Sequence, residues 1–202
     1  MRLITRNARL SDVGRIKQLF DVNISMDFYS EEDLERMTGG GDDVLRVTAD
    51  EDRGGLAVSC FYAFLSTLDE ALRVLHVKEK PEALRKYPGD TRTGVFKTTA
   101  TDPDYRNRGL FSACLSDLQP VLRERGAKLI VAAALRPFGR PIPTMNALRR
   151  TGFVPAAELR SPWAETKGYC PYCGKEYCVC DAELFIREFD EKEGAESGQQ
   201  EG

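Results

Sequence analysis

Val95-Phe96-Lys97-Thr98-Thr99-Ala100-Thr101-Asp102-Pro103-Asp104-Tyr105-Arg106-Asn107-Arg108-Gly109-Leu110-Phe111 is the stretch on which the reading of this chain turns. It begins as a run of Val, Phe and Thr, the composition of a strand. It passes through an Asp-Pro-Asp turn and reaches a glycine that opens a helix. Beyond that glycine, Leu110, Phe111, Cys114, Leu115, Leu118 and Leu122 recur at helical spacing and mark one apolar face. The first amides of a helix have no partners inside it, and the helix dipole places partial positive charge there. A glycine lets an anion approach the backbone closely, and Arg106 and Arg108 add full positive charge. The stretch from Arg106 to Leu110 therefore reads as an anion cradle between a strand and a helix.

The flanking sequence supplies a frame for it. Upstream, Arg2 to Ala8 reads as a short strand. Ser11 and Asp12 suit the start of a helix on which Val13, Ile16, Leu19 and Phe20 share a face. Ser30-Glu31-Glu32-Asp33 reads as a second helix start, and Gly39-Gly40-Gly41 breaks the chain. Val44 to Ala49 and Leu56 to Leu65 form a predicted hairpin about Arg53-Gly54-Gly55. Leu68 to Tyr87 has helical character interrupted at Pro81. Downstream, Pro120 should kink the amphipathic helix and Gly126 should end it. Leu129 to Leu135 reads as a strand buried on both faces, and Thr144 to Arg150 as a short helix stopped by Gly152. Phe153 to Leu159 and Ala182 to Phe189 are the last two strands. The order predicts an α/β (α+β) chain whose mixed, mostly antiparallel sheet is flanked by helices.

With 202 residues, one sizeable domain is expected, spanning 1–189 and including an insert at 162–181. Residues 190–202 are acidic and poor in apolar residues, so a disordered tail is expected there. No apolar run approaches membrane-spanning length and no signal peptide is recognisable, so cytoplasmic residence without a membrane partner is the expectation. The net charge of −3 argues against a general nucleic-acid binder. Between Asp104 and Arg150, however, nine basic residues face three acidic ones, a local excess of +6. Such a block is either an ordinary solvated face or an attraction for a phosphorylated ligand.

Cysteine usage is uneven. Cys60 and Cys114 sit in apolar runs and read as small core residues, whereas Cys170, Cys173, Cys178 and Cys180 cluster. Cys170-Pro171-Tyr172-Cys173 followed by Gly174 resembles a zinc knuckle, and Cys178 and Cys180, two apart, point the same way if extended. Four thiolates complete a closed tetrahedral site of structural type, so Zn2+ is expected. Iron can use the same ligands, and Cys-Pro-Tyr-Cys is also the dithiol of glutaredoxin-like redox proteins, so both alternatives stay open.

The segment from Asp102 to Phe111 resembles the GNAT superfamily of acetyl-CoA-dependent N-acetyltransferases. Their pyrophosphate loop reads Arg or Gln, two variable residues, Gly, one variable residue, then Gly or Ala. Arg106 and Gly109 match it, Phe111 departs from the small residue, and Gly152-Phe153 resembles the family's closing helix-to-strand junction. The resemblance spans Arg2 to Phe189 apart from the cysteine insert. It implies acetyl-CoA as cosubstrate, with Asn107, Arg108, Gly109, Leu110 and Phe111 cradling the pyrophosphate beside Arg106. It also implies that Thr99, Ala100 and Thr101 contact the pantetheine arm and thioester. Acetyl transfer to a primary amine, small-molecule or peptide, is then the expected activity, and homodimers would be unsurprising.

The catalytic residues are less legible. Many GNAT members carry a tyrosine acid four residues before the Gly-Phe pair, where Leu148 stands here, and an asparagine often found earlier aligns with Pro141. His76, the single histidine, lies on a stretch of helical character and reads as structural. Glu51 (with neighbouring Asp50) and Tyr62 are left as candidate proton acceptors, beside ordered water. In GNAT folds the loop joining the last two strands borders the acceptor site. The cysteine insert falls in that loop, as a wall of the acceptor site or as a staple. The missing tyrosine also leaves open a non-catalytic acyl-CoA-binding or zinc interaction module.

Overall fold

The computed structural model describes residues 1–138 and 140–189, so the acidic tail expected over 190–202 lies outside the described residues. The elements run β1 (Leu3–Asn7), α1 (Val13–Asn23), α2 (Glu31–Thr38), β2 (Asp43–Asp50), β3 (Leu56–Thr67), α3 (Leu68–Val74) and β4 (Arg92–Thr101), followed by α4 (Leu110–Glu124), β5 (Leu129–Arg136), α5 (Met145–Arg150), β6 (Val154–Leu159) and β7 (Asp181–Glu188). One seven-stranded sheet has the order β1-β2-β3-β4-β5-β7-β6. The β4–β5 pair is parallel, and every other neighbour pair is antiparallel. This is the mixed, mostly antiparallel sheet expected from the sequence.

Helices cover both faces, because inward residues alternate along each strand. Leu45, Val47, Cys60 and Tyr62 pack against α1 and α2, while Val95, Leu129 and Val131 meet α3. Phe61, Ala63, Phe96, Ile130 and Ala132 face α4 and α5 on the other side. The predicted face of α4 is the buried one: Cys114, Leu115, Leu118 and Leu122 are each 1% exposed or less. Burying a leucine contributes about 1.5–3 kcal/mol, so this face fastens α4 firmly to β3 and β4.

Local signals set several boundaries. At the start of α2, Ser30 Oγ accepts from the Asp33 amide at 3.1 Å, and Asp33 Oδ2 accepts from the Ser30 amide at 3.3 Å. That is a reciprocal capping box. The helix α4 is unbroken over Leu110–Glu124 with Pro120 inside it, where a kink was expected. The predicted helix from Leu68 stops much earlier than Pro81. His76 adopts φ 57°, and the Val77 amide donates to Leu72 O at 2.9 Å, which closes α3 in a Schellman-type turn. No helix of the described residues is long and apolar enough to cross a membrane.

The sheet opens at its centre. Pairing between β4 and β5 covers only Thr93–Phe96 against Leu129–Ala132. Past this point β4 stays with β3 and β5 stays with β7. A bulge accompanies the parting: Tyr62 faces Thr98 and Ala63 faces Phe96, so Lys97 is an extra residue on β4. Bulges bend the strand that carries them and re-aim its side chains.

Candidate functional site

A cavity of about 390 Å3 fills the space between the parted strands. Phe96, Lys97, Thr98 and Thr99 line it from β4, and Ala132, Ala133, Ala134 and Leu135 from β5. The end of α1 and the loop after it contribute Asn23, Ser25 and Phe28, the turn after α3 contributes Leu75 and His76, and α4 contributes Phe111. The cysteine insert supplies Trp163, Gly168, Tyr169, Cys170, Tyr172 and Cys178. From Lys97 onward the edge of β4 that faces β5 has no strand partner, so its backbone polar groups are open to a ligand that runs along it. Thr98 Oγ1 and Tyr29 OH are 2.8 Å apart, and Thr99 Oγ1 donates to Cys60 O at 3.2 Å. The Tyr29 phenol is pushed up to about 12, chiefly by burial, so it is protonated at neutral pH.

The cradle lies where this edge meets α4. After a single 3-10 turn, Pro103–Tyr105, Asn107 and Gly109 take left-handed conformations with φ 60° and 76°. They bring the chain into α4, whose first amides, those of Leu110, Phe111 and Ser112, have no acceptor within the helix. A Cβ built on Gly109 meets nothing within 4 Å, so the space above it is free for an anion. Arg106 reaches back to Thr101 O at 3.4 Å and to Asn23 Oδ1 at 2.6 Å, tying the cradle to the cavity wall. The Arg108 guanidinium lies 5.5 Å from the Tyr105 ring centroid. Phe111 does not crowd the cradle. Its ring turns into the cavity and meets Phe96 edge-on at 5.5 Å.

The loop is held from beneath. Asp102, at the end of β4, pairs with Arg15 on α1 and accepts from the Asp104 amide at 3.0 Å. Tyr105 OH donates to Asp50 Oδ2 at 2.7 Å, and Asp50 is 3% exposed. Tyr105→Phe leaves that carboxylate short of a donor, a loss of about 1–3 kcal/mol. At about 2–4 °C per kcal/mol for a chain of this size, a melting temperature lower by about 3–10 °C is expected in a thermal scan.

Two cavity residues were not assigned such a place from sequence. His76 projects from the turn that ends α3. Burial, then the charge of Lys97, holds its imidazole below the ordinary histidine value. Lys97 is part-buried on the bulge, its Nζ donates to Val74 O at 3.0 Å, and burial lowers its ammonium. Val74 closes α3, so this carbonyl sits at the negative end of a helix dipole. Glu51 and Tyr62 are elsewhere. Glu51 begins the turn between β2 and β3 and pairs with Arg2 at 3.7 Å. Tyr62 OH donates to Asp43 Oδ1 at 2.6 Å, and burial, followed by Asp43, pushes its phenol upward. Neither lines the cavity. Asp50 likewise anchors Tyr105 instead of facing the cavity. Leu148 does line it, 1% exposed.

The insert folds as a small hairpin. Gly168 N donates to Glu176 O at 2.8 Å, Cys170 N to Lys175 O at 2.9 Å and Gly174 N to Cys170 O at 2.8 Å. Gly174, at φ 68°, supplies the left-handed turn that a tight Cys-x-x-Cys loop needs. The sulfurs of Cys170, Cys173, Cys178 and Cys180 all lie within 4.8 Å of one another. Zn–S bonds of about 2.3 Å in a tetrahedron put the sulfurs about 3.8 Å apart, so a small contraction closes the set around one ion. Burial opposes the Cys173 thiolate. Amides of Val179 and Lys175, with the Cys170 and Cys180 side chains, outweigh it and draw the thiol down to about 7. Burial drives Cys178 and Cys180 the other way. Four packed sulfurs cannot all ionise without a cation among them. The donor set therefore fits a soft divalent metal.

No family model matches the chain, and no curated protein matches it in sequence. Solved structures match its fold. NAA60 from Arabidopsis thaliana in complex with acetyl-CoA superposes with a TM-score of 0.68 at 16% identity, over 93% of this chain and 99% of that one. A GNAT superfamily phosphinothricin acetyltransferase from Sinorhizobium meliloti in complex with AcCoA gives 0.62 at 18% identity, over 95% and 90%. The ribosomal-protein-S18-alanine N-acetyltransferase from Escherichia coli gives 0.59 at 15% identity, over 93% and 94%. The chain has the fold of these acetyltransferases, as the segment from Asp102 to Phe111 led one to expect.

Proposed function

We propose that this GNAT-fold chain transfers an acetyl group from acetyl-CoA to a primary amine held in the cavity between β4 and β5. One observation carries the reading: the anion cradle at the start of α4 borders the cavity that the unpaired edge of β4 lines, because Phe111 faces that cavity and Arg106 bonds Asn23 in its wall. The amides from Asn107 to Phe111, with Arg106 and Arg108, take the pyrophosphate. Thr99, Ala100 and Thr101 take the pantetheine arm along the open edge and bring the thioester into the gap. The amine nitrogen then bonds to the acyl carbon, the carbon–sulfur bond breaks, and coenzyme A leaves as its thiolate. The proton leaving the amine goes to His76, an exposed residue at the cavity's edge whose imidazole is held below its ordinary value, first by partial burial and then by Lys97, and so can accept it. Glu51 and Tyr62 drop out of this role because they do not line the cavity. The cysteine cluster is read as a closed zinc site that shapes one wall of the acceptor cavity and takes no part in the reaction.

His76→Asn keeps a residue that tolerates the left-handed backbone and removes the imidazole. A kcat lower by about 100-fold is expected, with acetyl-CoA affinity nearly unchanged. The sign of the pH dependence follows from the lowered imidazole. The wild-type rate falls as pH drops through a value below about 6.5, where His76 takes up a proton and can no longer accept one. That acid limb disappears in the variant. An unchanged limb in His76→Asn removes His76 from the role.

Calorimetry with acetyl-CoA tests the donor, and release of free thiol with a panel of amines tests transfer. No binding sinks the proposal. Binding without thiol release from any amine favours the second reading, a non-catalytic acyl-CoA-binding module, which Leu148 at the place of the usual tyrosine supports. The hairpin setting and the two further sulfurs favour metal binding over dithiol redox chemistry at Cys170 and Cys173.

A further inference from the structure

Beyond the reaction type, the cavity has a charge pattern that bears on the acceptor. No aspartate or glutamate is among the described residues that line it. Its charged lining consists of Lys97 and Lys167, with His76 as a third basic group. Lys167 is already spoken for: its exposed ammonium pairs with Glu176 at 3.3 Å. The His76 imidazole is held below its ordinary value by partial burial and by Lys97, against Glu165. Lys97 stands alone. Among the described residues its single hydrogen bond is to Val74 O and no carboxylate pairs with it. An ammonium has three donors, so two remain for a ligand. A part-buried cation without a counter-charge is unfavourable, and an anion brought into the cavity relieves it.

The rest of the surface is mostly apolar and aromatic, with Phe28, Phe96, Phe111, Trp163 and Leu75 around the gap and the hydroxyls of Thr98 and Thr99 among them. A polycationic acceptor would meet Lys97 and Lys167 there and no carboxylate among the described lining residues; Glu165, whose charge reaches His76, is not one of them. An amine that carries its own carboxylate meets the opposite situation. Lys97 is the first β4 residue beyond the paired segment, on the same edge along which the thioester would run. Its Nζ reaches Val74 O, close enough to His76 for its charge to act on that imidazole, so a carboxylate held by the ammonium leaves its amine two bonds away, near the residue read as proton acceptor.

Resting on the acetyltransferase reading, we infer that the acceptor is a free α-amino acid with an apolar or aromatic side chain, whose carboxylate is held by Lys97. The aromatic walls take the side chain. A peptide N-terminus, whose first residue has an amide in place of the carboxylate, lacks the group that Lys97 recognises.

The test uses the metal-replete full chain with acetyl-CoA and four acceptors: L-phenylalanine, L-phenylalaninamide, 2-phenylethylamine and spermidine. Wild-type kcat/KM for phenylalanine should exceed that for its amide and for phenylethylamine by at least about tenfold, with spermidine lowest; a tenfold ratio corresponds to about 1.4 kcal/mol. In Lys97→Met the ratio of phenylalanine to phenylalaninamide should fall to near one, and Lys97→Arg should restore part of it. Calorimetry with acetyl-CoA reports whether each variant keeps its fold and donor site. A wild-type preference for the amide, phenylethylamine or spermidine overturns the inference, even if Lys97→Met fails to fold. An unchanged ratio in a folded Lys97→Met also overturns it. Acetyl-CoA binding with no transfer to any of the four, or to a wider amine panel, overturns instead the transferase reading on which it rests.

Discussion

Gly109→Val should weaken acetyl-CoA binding by about 100-fold or more while the protein stays folded. Gly109 has φ 76°, a backbone region that costs an L-residue roughly 1–2 kcal/mol, and more for a β-branched one. The chain can relieve that strain only by turning Asn107 to Leu110 away from their present course. The amides that face the anion would then lose their common aim, and hydrogen bonds to a charged group are worth about 1.5–3 kcal/mol each. Losing two of them exceeds the roughly 2.8 kcal/mol that a 100-fold change requires. A Cβ at this position meets no protein atom within 4 Å, so the substitution has no core clash to destabilise the fold by another route. It does occupy the free space in which a phosphate would sit. Calorimetry with acetyl-CoA and a thermal scan read the two effects separately. Unchanged affinity in a folded Gly109→Val would remove the cradle from donor binding.

Stripping the metal should have the second large effect. Purified protein is expected to carry about one zinc per chain, bound by Cys170, Cys173, Cys178 and Cys180. Apparent zinc-binding energies in small cysteine-rich peptides reach about 10–16 kcal/mol, much of it offset by ordering the loop. A net loss of about 3–5 kcal/mol on removal corresponds to a melting temperature lower by about 10 °C. The functional consequence is directional. Gly168, Tyr169, Cys170 and Cys178 line the side of the cavity proposed for the acceptor, whereas the cradle rests on α4, Asp102 and the Tyr105–Asp50 contact. Chelated protein, or Cys173→Ser with Cys180→Ser, should therefore show an acceptor KM at least about tenfold higher with little change in acetyl-CoA affinity. Metal far from one per chain contradicts the zinc assignment. An unchanged acceptor KM in metal-free protein reduces the insert to a staple.

What could be read from sequence was the chemistry carried by neighbouring residues. The strand that begins the stretch from Val95, the Asp-Pro-Asp turn, the glycine and the apolar stripe on α4 are all local signals, and they place the cradle without knowledge of the sheet. The cysteine spacing belongs to the same class, because a Cys-x-x-Cys turn with a following glycine specifies its own geometry. Lys97 and His76 were hidden for a different reason. Lys97 faces the cavity because β4 bulges opposite Tyr62 and Ala63, and a bulge is set by pairing between strands distant in sequence. His76 faces it because α3 ends one turn after Leu72, with a histidine in the left-handed position that glycine usually takes. The fading of helical spacing after Leu75 was the only hint. Glu51 and Tyr62 drew attention as a carboxylate and a phenol near a hairpin. Contacts with Arg2 and Asp43 occupy them there.

Phe111 shows how a departure from a motif resolves in three dimensions. A bulky residue replaces the small one of the GNAT loop, yet its side chain leaves on the cavity side and packs on Phe96. The cradle keeps its opening because the close approach depends on Gly109.

The most direct test is a crystal structure of the zinc-loaded protein with acetyl-CoA bound. The pyrophosphate should lie against the amides from Asn107 to Phe111, with Arg106 and Arg108 beside it. The pantetheine arm should run along the open edge of β4 at Thr99 to Thr101, and the thioester should enter the gap next to His76 and Lys97. A pyrophosphate bound elsewhere, or a thioester outside the gap between β4 and β5, would contradict the assignment of this cavity as the transfer site.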